Sequence, residues 1–281
     1  MKKPITIKKI IVTILYIFFF VFFVGTIVFP FFWQFLNSFK TQRDLFSIPL
    51  NFWPTEFTLD NYREVFSKQP FLDYIINSFV IAGISTIFSI VIGAMASYSI
   101  SRTRIKFKKI YLLILLSITL LPPITIVNPV YMLIKNLNLL NTFWGLALVN
   151  TILTLPTSVW FLSGFFETIP VELEESAMID GATVFQSFYK IIIPLVSPAV
   201  FTVSILVFIA SWNQYLFAQI LNPLRIRRTI TVGITLYQTD HVIPWGTLSA
   251  ASIIVTVPLI ILVLILQKKI ISGLLDGGVK G

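Results

Sequence analysis

The chain has 281 residues, of which 56% are hydrophobic and only 12% charged, with a net charge of +9 and no cysteine. That charge fraction is too small to hydrate the surface of a soluble domain, and the missing thiols exclude disulfides, thiolate metal sites and cysteine chemistry. The basic excess fits loops facing anionic lipid rather than a nucleic-acid surface.

The charged residues fall in islands at 2–9, 40–73, 102–109, 135, 167–190, 225–240 and 268–280. The uncharged runs between them can each cross a bilayer, which takes about 20 apolar residues. The expectation is an all-α fold, a polytopic membrane helix bundle with six transmembrane helices over about 10–35, 74–99, 110–133, 142–165, 195–218 and 245–267. The first span reads as a retained helix rather than a cleaved signal, because its apolar run is long and no small-x-small site follows before Trp33. The loop Asn37–Asp73, with Pro49, Pro54 and Pro70, reads as a short folded excursion. In the second span, Gly93, Ala94, Ala96 and Ser97 permit close helix approach, as do Ser249–Ser252 in the sixth. Pro122-Pro123 and Pro129 either kink the third span or mark its external end.

Orientation follows from the basic residues. Of the 21 Lys and Arg, 13 lie before the first span, in the second and fourth connections, or after the last span, which puts both termini in the cytoplasm. Arg225, Arg227 and Arg228 are discordant, in a late external loop. The six spans contain no ionisable side chain except tyrosine. A charge at mid-bilayer costs about 2.5–3.5 kcal/mol and is usually retained for ion coupling, so a self-contained proton-driven carrier is disfavoured and the energy enters from outside the chain. Import of an anion such as glycerol phosphate is the alternative substrate reading, but it would need intramembrane cations or helix N-termini aimed at the path. A self-contained secondary carrier is the alternative class. His241 reads as a solvated loop residue, and neither a Gly-x-x-x-x-Gly-Lys-Ser/Thr loop, a metal-ligand cluster nor a catalytic constellation is present in the sequence.

The fourth connection, 167–194, carries the most information. Pro170 suits a helix start, and Glu172, Glu174 and Glu175 favour the positive end of its dipole. Asp180-Gly181 ends that helix, since glycine takes the left-handed cap. A second amphipathic stretch follows, with Val184, Phe188, Ile191 and Ile192 at helical spacing. The result is a helix–turn–helix on the cytoplasmic face, too acidic to lie on an anionic leaflet.

Glu175-Ser176-Ala177, then Asp180-Gly181-Ala182, followed by Phe188, Ile191, Pro194 and Pro198, resembles the EAA loop of bacterial ABC importer permeases. Ser176 departs from the usual alanine, a small-for-small change. Ser211–Phe217 resembles the Trp-Asn segment of carbohydrate permeases, and the tail Gly273–Gly281 is similar to that of the shorter, second permease of maltose/trehalose-type uptake systems. The resemblance implies a single permease domain over 1–281, with 167–194 as a cytoplasmic coupling helix and loop and 268–281 as a cytoplasmic tail. It assigns ATPase coupling to Glu175, Ser176, Ala177, Asp180, Gly181, Ala182 and Phe188, and a second ATPase contact to Gly277, Gly278, Val279 and Lys280. The implied partners are a second homologous permease, an ATPase dimer, an extracytoplasmic sugar-binding protein, the sugar and membrane lipid. ATP and magnesium would be held by the ATPase partner, with no cofactor in this chain and no nucleic acid. Sugars are held by aromatic faces and fixed hydrogen bonds, which selects Asn128, Asn150, Trp160, Asn213 and Tyr215 as path candidates. Arg225, Arg227 and Arg228 lie in a loop that either enters the binding protein's cleft or meets its acidic rim.

Overall fold

A backbone surrounded by lipid must satisfy its own hydrogen bonds, so uncharged runs of this length fold as helices. The computed structural model describes residues 7–103, 105–238 and 243–278, with side chains over 12–103, 105–238 and 243–266. Among these residues there is no strand. In order come α1 (Ile7–Ser38), α2 (Gln42–Leu45), α3 (Asp60–Lys68), α4 (Phe71–Arg102), α5 (Lys108–Ser117), α6 (Val127–Asn136) and α7 (Phe143–Glu167). They are followed by α8 (Glu172–Ile179), α9 (Val184–Ser187), α10 (Ile193–Leu195), α11 (Ser197–Trp212), α12 (Leu216–Leu221), α13 (Ile230–Thr235) and α14 (Trp245–Gly278). A π-helical turn, Phe188–Ile192, joins α9 to α10.

Among the described residues, four helices are long and apolar enough to cross a membrane, over Val12–Ser38, Phe71–Arg102, Phe143–Glu167 and Trp245–Leu266. The expected third and fifth spans are not straight helices. Lys108–Leu120 and Pro123–Asn136 meet at 89°, and Val184–Leu195 and Ser197–Trp212 meet at 78°, so the count reaches six only if each bent pair is one span. The first break falls at Pro122-Pro123, where two consecutive residues offer no backbone donor. The expected run to 218 also breaks at 213–215, and α12 restarts with the Gln214 side chain accepting from the Phe217 N–H at 3.4 Å.

The chain divides into two units, residues 1–69 with 237–254, and residues 70–236 with 255–281. In the first unit, the segment after α1 folds around a buried polar knot. The Lys40 ammonium donates to the Asn51 carbonyl at 2.8 Å and lies 4.2 Å above the Trp33 ring. Asp44 accepts from the Thr55 hydroxyl at 2.6 Å and its N–H at 2.9 Å. Burial pushes Lys40 below its ordinary pKa, and the Thr55 hydroxyl holds Asp44 below the usual carboxylate range. Asn61 donates to the carbonyls of Ser38 and Lys40, and Tyr237 to that of Val65 at 2.6 Å.

In the second unit, α4 and α7 meet along a seam of small and hydroxyl side chains. Ser85, Ser89, Gly93 and Ser97 recur every fourth residue on one stripe of α4, all buried. A Cβ on Gly93 would stand 3.0 Å from the Ser158 Cβ, so a larger residue there would push the two helices apart by a few tenths of an ångström or more. Ser89 and Ser158 share a 2.8 Å hydrogen bond, and Ser97 donates to the Val159 carbonyl at 3.0 Å. The small-residue signal at Gly93–Ser97 was thus one end of a longer ladder. An apolar cluster including Leu162, Phe166, Ile192, Val196 and Val203 packs one end of the unit, and one including Ile81, Ile134, Leu146 and Leu221 the other.

Candidate functional site

The segment 168–196 is built by local rules. Three glutamates open α8, and its end is closed by two reversed backbone bonds: Gly181 N–H to the Met178 carbonyl at 3.1 Å, and Ala182 N–H to that of Ala177 at 2.9 Å. This closure requires Gly181 at φ +89°, a conformation that strains any residue carrying a Cβ. Thr183 then restarts the helix with a reciprocal cap. Its hydroxyl accepts from Gln186 N–H at 3.2 Å while the Gln186 side chain accepts from Thr183 N–H at 2.9 Å. Of the four apolar residues at helical spacing in the second stretch, Phe188, Ile191 and Ile192 pack inward. Val184 is instead more than half exposed, at the rim of a depression lined by Met95, Tyr98, Phe185 and Phe188.

The elbow is fastened to the bundle by a buried charge pair that sequence reasoning missed. Glu174 accepts from the Tyr98 hydroxyl at 2.6 Å and from Arg102 Nε, with only 4% of its side chain exposed. The Arg102 guanidinium also donates to the carbonyls of Phe166 at 3.1 Å and Ile169 at 3.2 Å. One guanidinium therefore joins the last turn of α4, the end of α7 and the first turn of α8. The Phe188 ring lies 4.8 Å from Tyr98 and 6.4 Å from Phe166, completing the joint. The signal for this was modest: Glu174 and Ala177 lie three apart on one helix face, and both are buried.

What remains outward is an apolar knob rimmed by acids. Leu173, Met178, Ile179, Phe185 and Tyr189 are exposed, Ile179 at 86%. Glu172, Glu175 and Asp180 are exposed around them, together with Ser176 and Gly181. Glu175 also lines a cleft with Arg102, Lys108 and Lys109. Ala177 and Phe188, by contrast, lie behind this surface. The exposed apolar members, Ile179 above all, were not singled out by sequence.

The path candidates are scattered. Asn128 on α6, and Asn213 and Tyr215 at the break after α11, are exposed, and Trp160 on α7 is 38% exposed. Asn150 differs: it is buried on α7, and neither amide atom has a hydrogen-bond partner among the described residues. It lines a cavity of about 280 Å³ with Thr119, Thr154, Ser211 and Gln214. An unpaired buried polar group costs about 1–3 kcal/mol, so the arrangement is not explained by stability.

The arginine loop is held in place from below. Asn77 donates to the carbonyls of Ile226 at 3.0 Å and Arg228 at 2.9 Å, and the Ser78 hydroxyl accepts from Ile230 N–H at 2.8 Å. Arg227 lies over the Phe143 ring at 4.4 Å, and Arg228 Nε donates to the Pro223 carbonyl at 3.0 Å. Gly277 and Gly278 fall in the last residues of α14, while Val279, Lys280, Arg104 and His241 lie outside the described residues. No group of three or more His, Cys, Asp or Glu able to hold a metal occurs among the described residues.

Residues 89–275 match the family described as binding-protein-dependent transport system inner membrane component. The chain belongs to that family. It is 39% identical over 253 residues to the sulfoquinovosyl glycerol transport system permease protein SmoH of Agrobacterium fabrum, covering 90% of this chain and 89% of that one. It is 38% identical over 256 residues to the trehalose/maltose transport system permease protein MalG of Thermococcus litoralis, with 90% and 91% covered. A crystal structure of a bacterial ABC transporter involved in the import of the acidic polysaccharide alginate superposes with a TM-score of 0.77 at 20% identity, covering 95% of this chain and 99% of that one. That likeness fixes the fold. The chain is thus an inner-membrane component of a binding-protein-dependent transport system, with the helical fold seen in that transporter.

Proposed function

We propose that this chain is one of two permease subunits of a carbohydrate importer, forming half of the path and receiving force from ATPase subunits through the elbow 167–194. The observation that carries the coupling role is the arrangement around α8: an outward knob of Ile179 and Met178 rimmed by Glu175 and Asp180, joined at its back to α4 and α7 through Arg102 and Glu174. A surface pushed by a partner must be stiffly connected to the helices it moves, and a buried guanidinium bonded to three segments supplies that stiffness. Glu175, Ser176, Asp180, Gly181 and Ala182 make the ATPase contact in this reading, with Ala177 and Phe188 supporting it from behind. The tail Gly277–Lys280 forms the second contact, and ATP and magnesium stay in the partner.

Each bent pair counts as one span in this reading, giving six, with both termini in the cytoplasm. Two hydrogen-bond sets support that sidedness. Arg102, at the head of the basic connection 102–109, bonds Glu174, so the second and fourth connections share one end of the bundle. Asn77 bonds the loop 226–228, which groups the opposite connections. Arg225, Arg227 and Arg228 then face the extracytoplasmic binding protein. The path candidates are Asn128, Asn150, Trp160, Asn213 and Tyr215, and the relatives' names favour a di- or oligosaccharide.

The test is reconstitution with the second permease, the ATPases and the binding protein in liposomes. Asp180→Lys is expected to reduce sugar uptake at least about tenfold, the loss of a charged contact, while the chain still inserts and ATP hydrolysis persists. Unchanged uptake removes the coupling assignment.

A further inference from the structure

We infer that the cavity walled by Asn150, Thr154, Ser211 and Gln214 is a binding subsite for the hydroxyl groups of an uncharged sugar crossing the membrane. The inference rests on the import function proposed above and names what the path holds there. The cavity, of about 280 Å³, lies at the break of one bent pair, with Leu121 and Pro123, and at the far end of the other, with Ser211 and Gln214.

Two unpaired polar side chains meeting in one cavity set this place apart; other buried atoms without a partner among the described residues, such as Ser163 Oγ, Ser187 Oγ and Trp212 Nε1, do not line it. Ser85, Thr86, Thr151, Thr154, Ser158, Thr202 and Ser204 each donate to the carbonyl four residues back, as hydroxyls in membrane helices normally do. The Ser211 hydroxyl makes no such bond and has no partner among the described residues, although the residue is only 6% exposed. Both amide atoms of Asn150, 2% exposed, are in the same condition. The two residues come from different helices and line one cavity. Their chemistry specifies the guest. An amide offers donors and an acceptor side by side, and a sugar hydroxyl both donates and accepts. The remaining wall, including Ile118, Ile126 and Leu153, is apolar and suits the CH face of a sugar ring. No charged side chain lines the cavity, so an anion would be desolvated there without compensation.

The chain has no cysteine, so single-thiol variants report one position each. The complete transporter carrying Ser211→Cys is compared in proteoliposomes with Val203→Cys, fully buried, and Ile87→Cys, exposed on the bundle surface. Modification by a water-soluble methanethiosulfonate is followed with trehalose, maltose, melibiose or raffinose present, and with glucuronate as the anionic control. Ser211→Cys is expected to react at least about tenfold faster than both controls, and a neutral sugar that the wild type imports slows it while glucuronate does not. Asn150→Leu is expected to raise the half-saturation concentration for that sugar about tenfold, the loss of one hydrogen-bonding group, with Ser211→Ala as the smaller perturbation. Equal protection by glucuronate overturns the neutral-sugar assignment, and Ser211→Cys reacting no faster than Val203→Cys overturns the subsite. Import by the wild type without protection, or with an unchanged half-saturation in both Asn150→Leu and Ser211→Ala, overturns the subsite alone. Absence of import of every neutral sugar by the wild type overturns the function on which it rests.

Discussion

The second unit holds buried polar side chains of two kinds, and α7 carries both, with Thr154 bonded to Ser89 and also lining the cavity beside Asn150. Toward α4, Thr151, Thr154 and Ser158 are all bonded, to helix carbonyls and to the Ser89 hydroxyl. Toward the cavity, Asn150 is bonded to nothing among the described residues. The same helix, with the same hydrocarbon around it, thus contains a finished seam and an unfinished one. A polar group that holds helices together is paired where it sits. One left open in a cavity is available to something else. The Arg102–Glu174 joint belongs to the finished kind and raises the stakes, because its members are charged and buried at 12% and 4% exposure.

The Arg102–Glu174 joint is the most sensitive of these places to substitution. Arg102→Ala leaves the Glu174 carboxylate buried without its cation and the carbonyls of Phe166 and Ile169 without a donor. The expected loss is about 3–5 kcal/mol of stability, read as a lower unfolding temperature of the detergent-purified chain. Replacing both members, Arg102→Met with Glu174→Leu, is expected to restore most of that stability, since an apolar pair of similar volume avoids the desolvation. Uptake in the assembled transporter stays low in the double variant if the joint transmits force, and returns with stability if the pair only holds the fold. A double variant as unstable as Arg102→Ala sinks the claim that the unpaired carboxylate is the cause.

Next in size is the seam. Gly93→Val places a branched side chain where a bare Cβ already stands 3.0 Å from the Ser158 Cβ, with backbone close behind. Overpacking of this kind is expected to cost about 1–3 kcal/mol, seen again in thermal unfolding. The matched control is Gly25→Ala, where an added Cβ meets nothing within 4 Å, and it is expected to leave the unfolding temperature unchanged. Equal effects at the two positions would show that α4 and α7 do not approach as described.

How much of this was legible beforehand divides along the same line. Helical class, the long apolar runs and the chemistry of the elbow are local, so Gly181 and the acid-rich first turn of α8 could be read from neighbouring residues alone. Both bends carry prolines, Pro122-Pro123 at one and Pro194 with Pro198 around the other, but the break at 213–215 has none to mark it. The joint was not legible, because Arg102 and Glu174 lie 72 residues apart and only the folded chain brings them together. Asn150 illustrates the same limit from the other side. Its residue type made it a candidate, yet Asn128 and Asn213 were equal candidates until burial and the missing partners set Asn150 apart.

The smallest stability effect carries the most discrimination, because its sign differs. Every substitution in the finished seam removes a bond or adds a clash, and so lowers stability. Asn150→Leu removes an amide that has no bond to lose and replaces it with a side chain of similar size that prefers a dry wall. The expected change in unfolding temperature is therefore zero or upward, equivalent to at most about 1–3 kcal/mol of relieved desolvation. A clear fall instead means that Asn150 is bonded to ordered water in a structural role, and the distinction between the two kinds on α7 then disappears. A rise accompanied by poorer uptake is the pattern of a site kept polar for its guest at the expense of the fold, and only an unpaired position can give both results from one substitution.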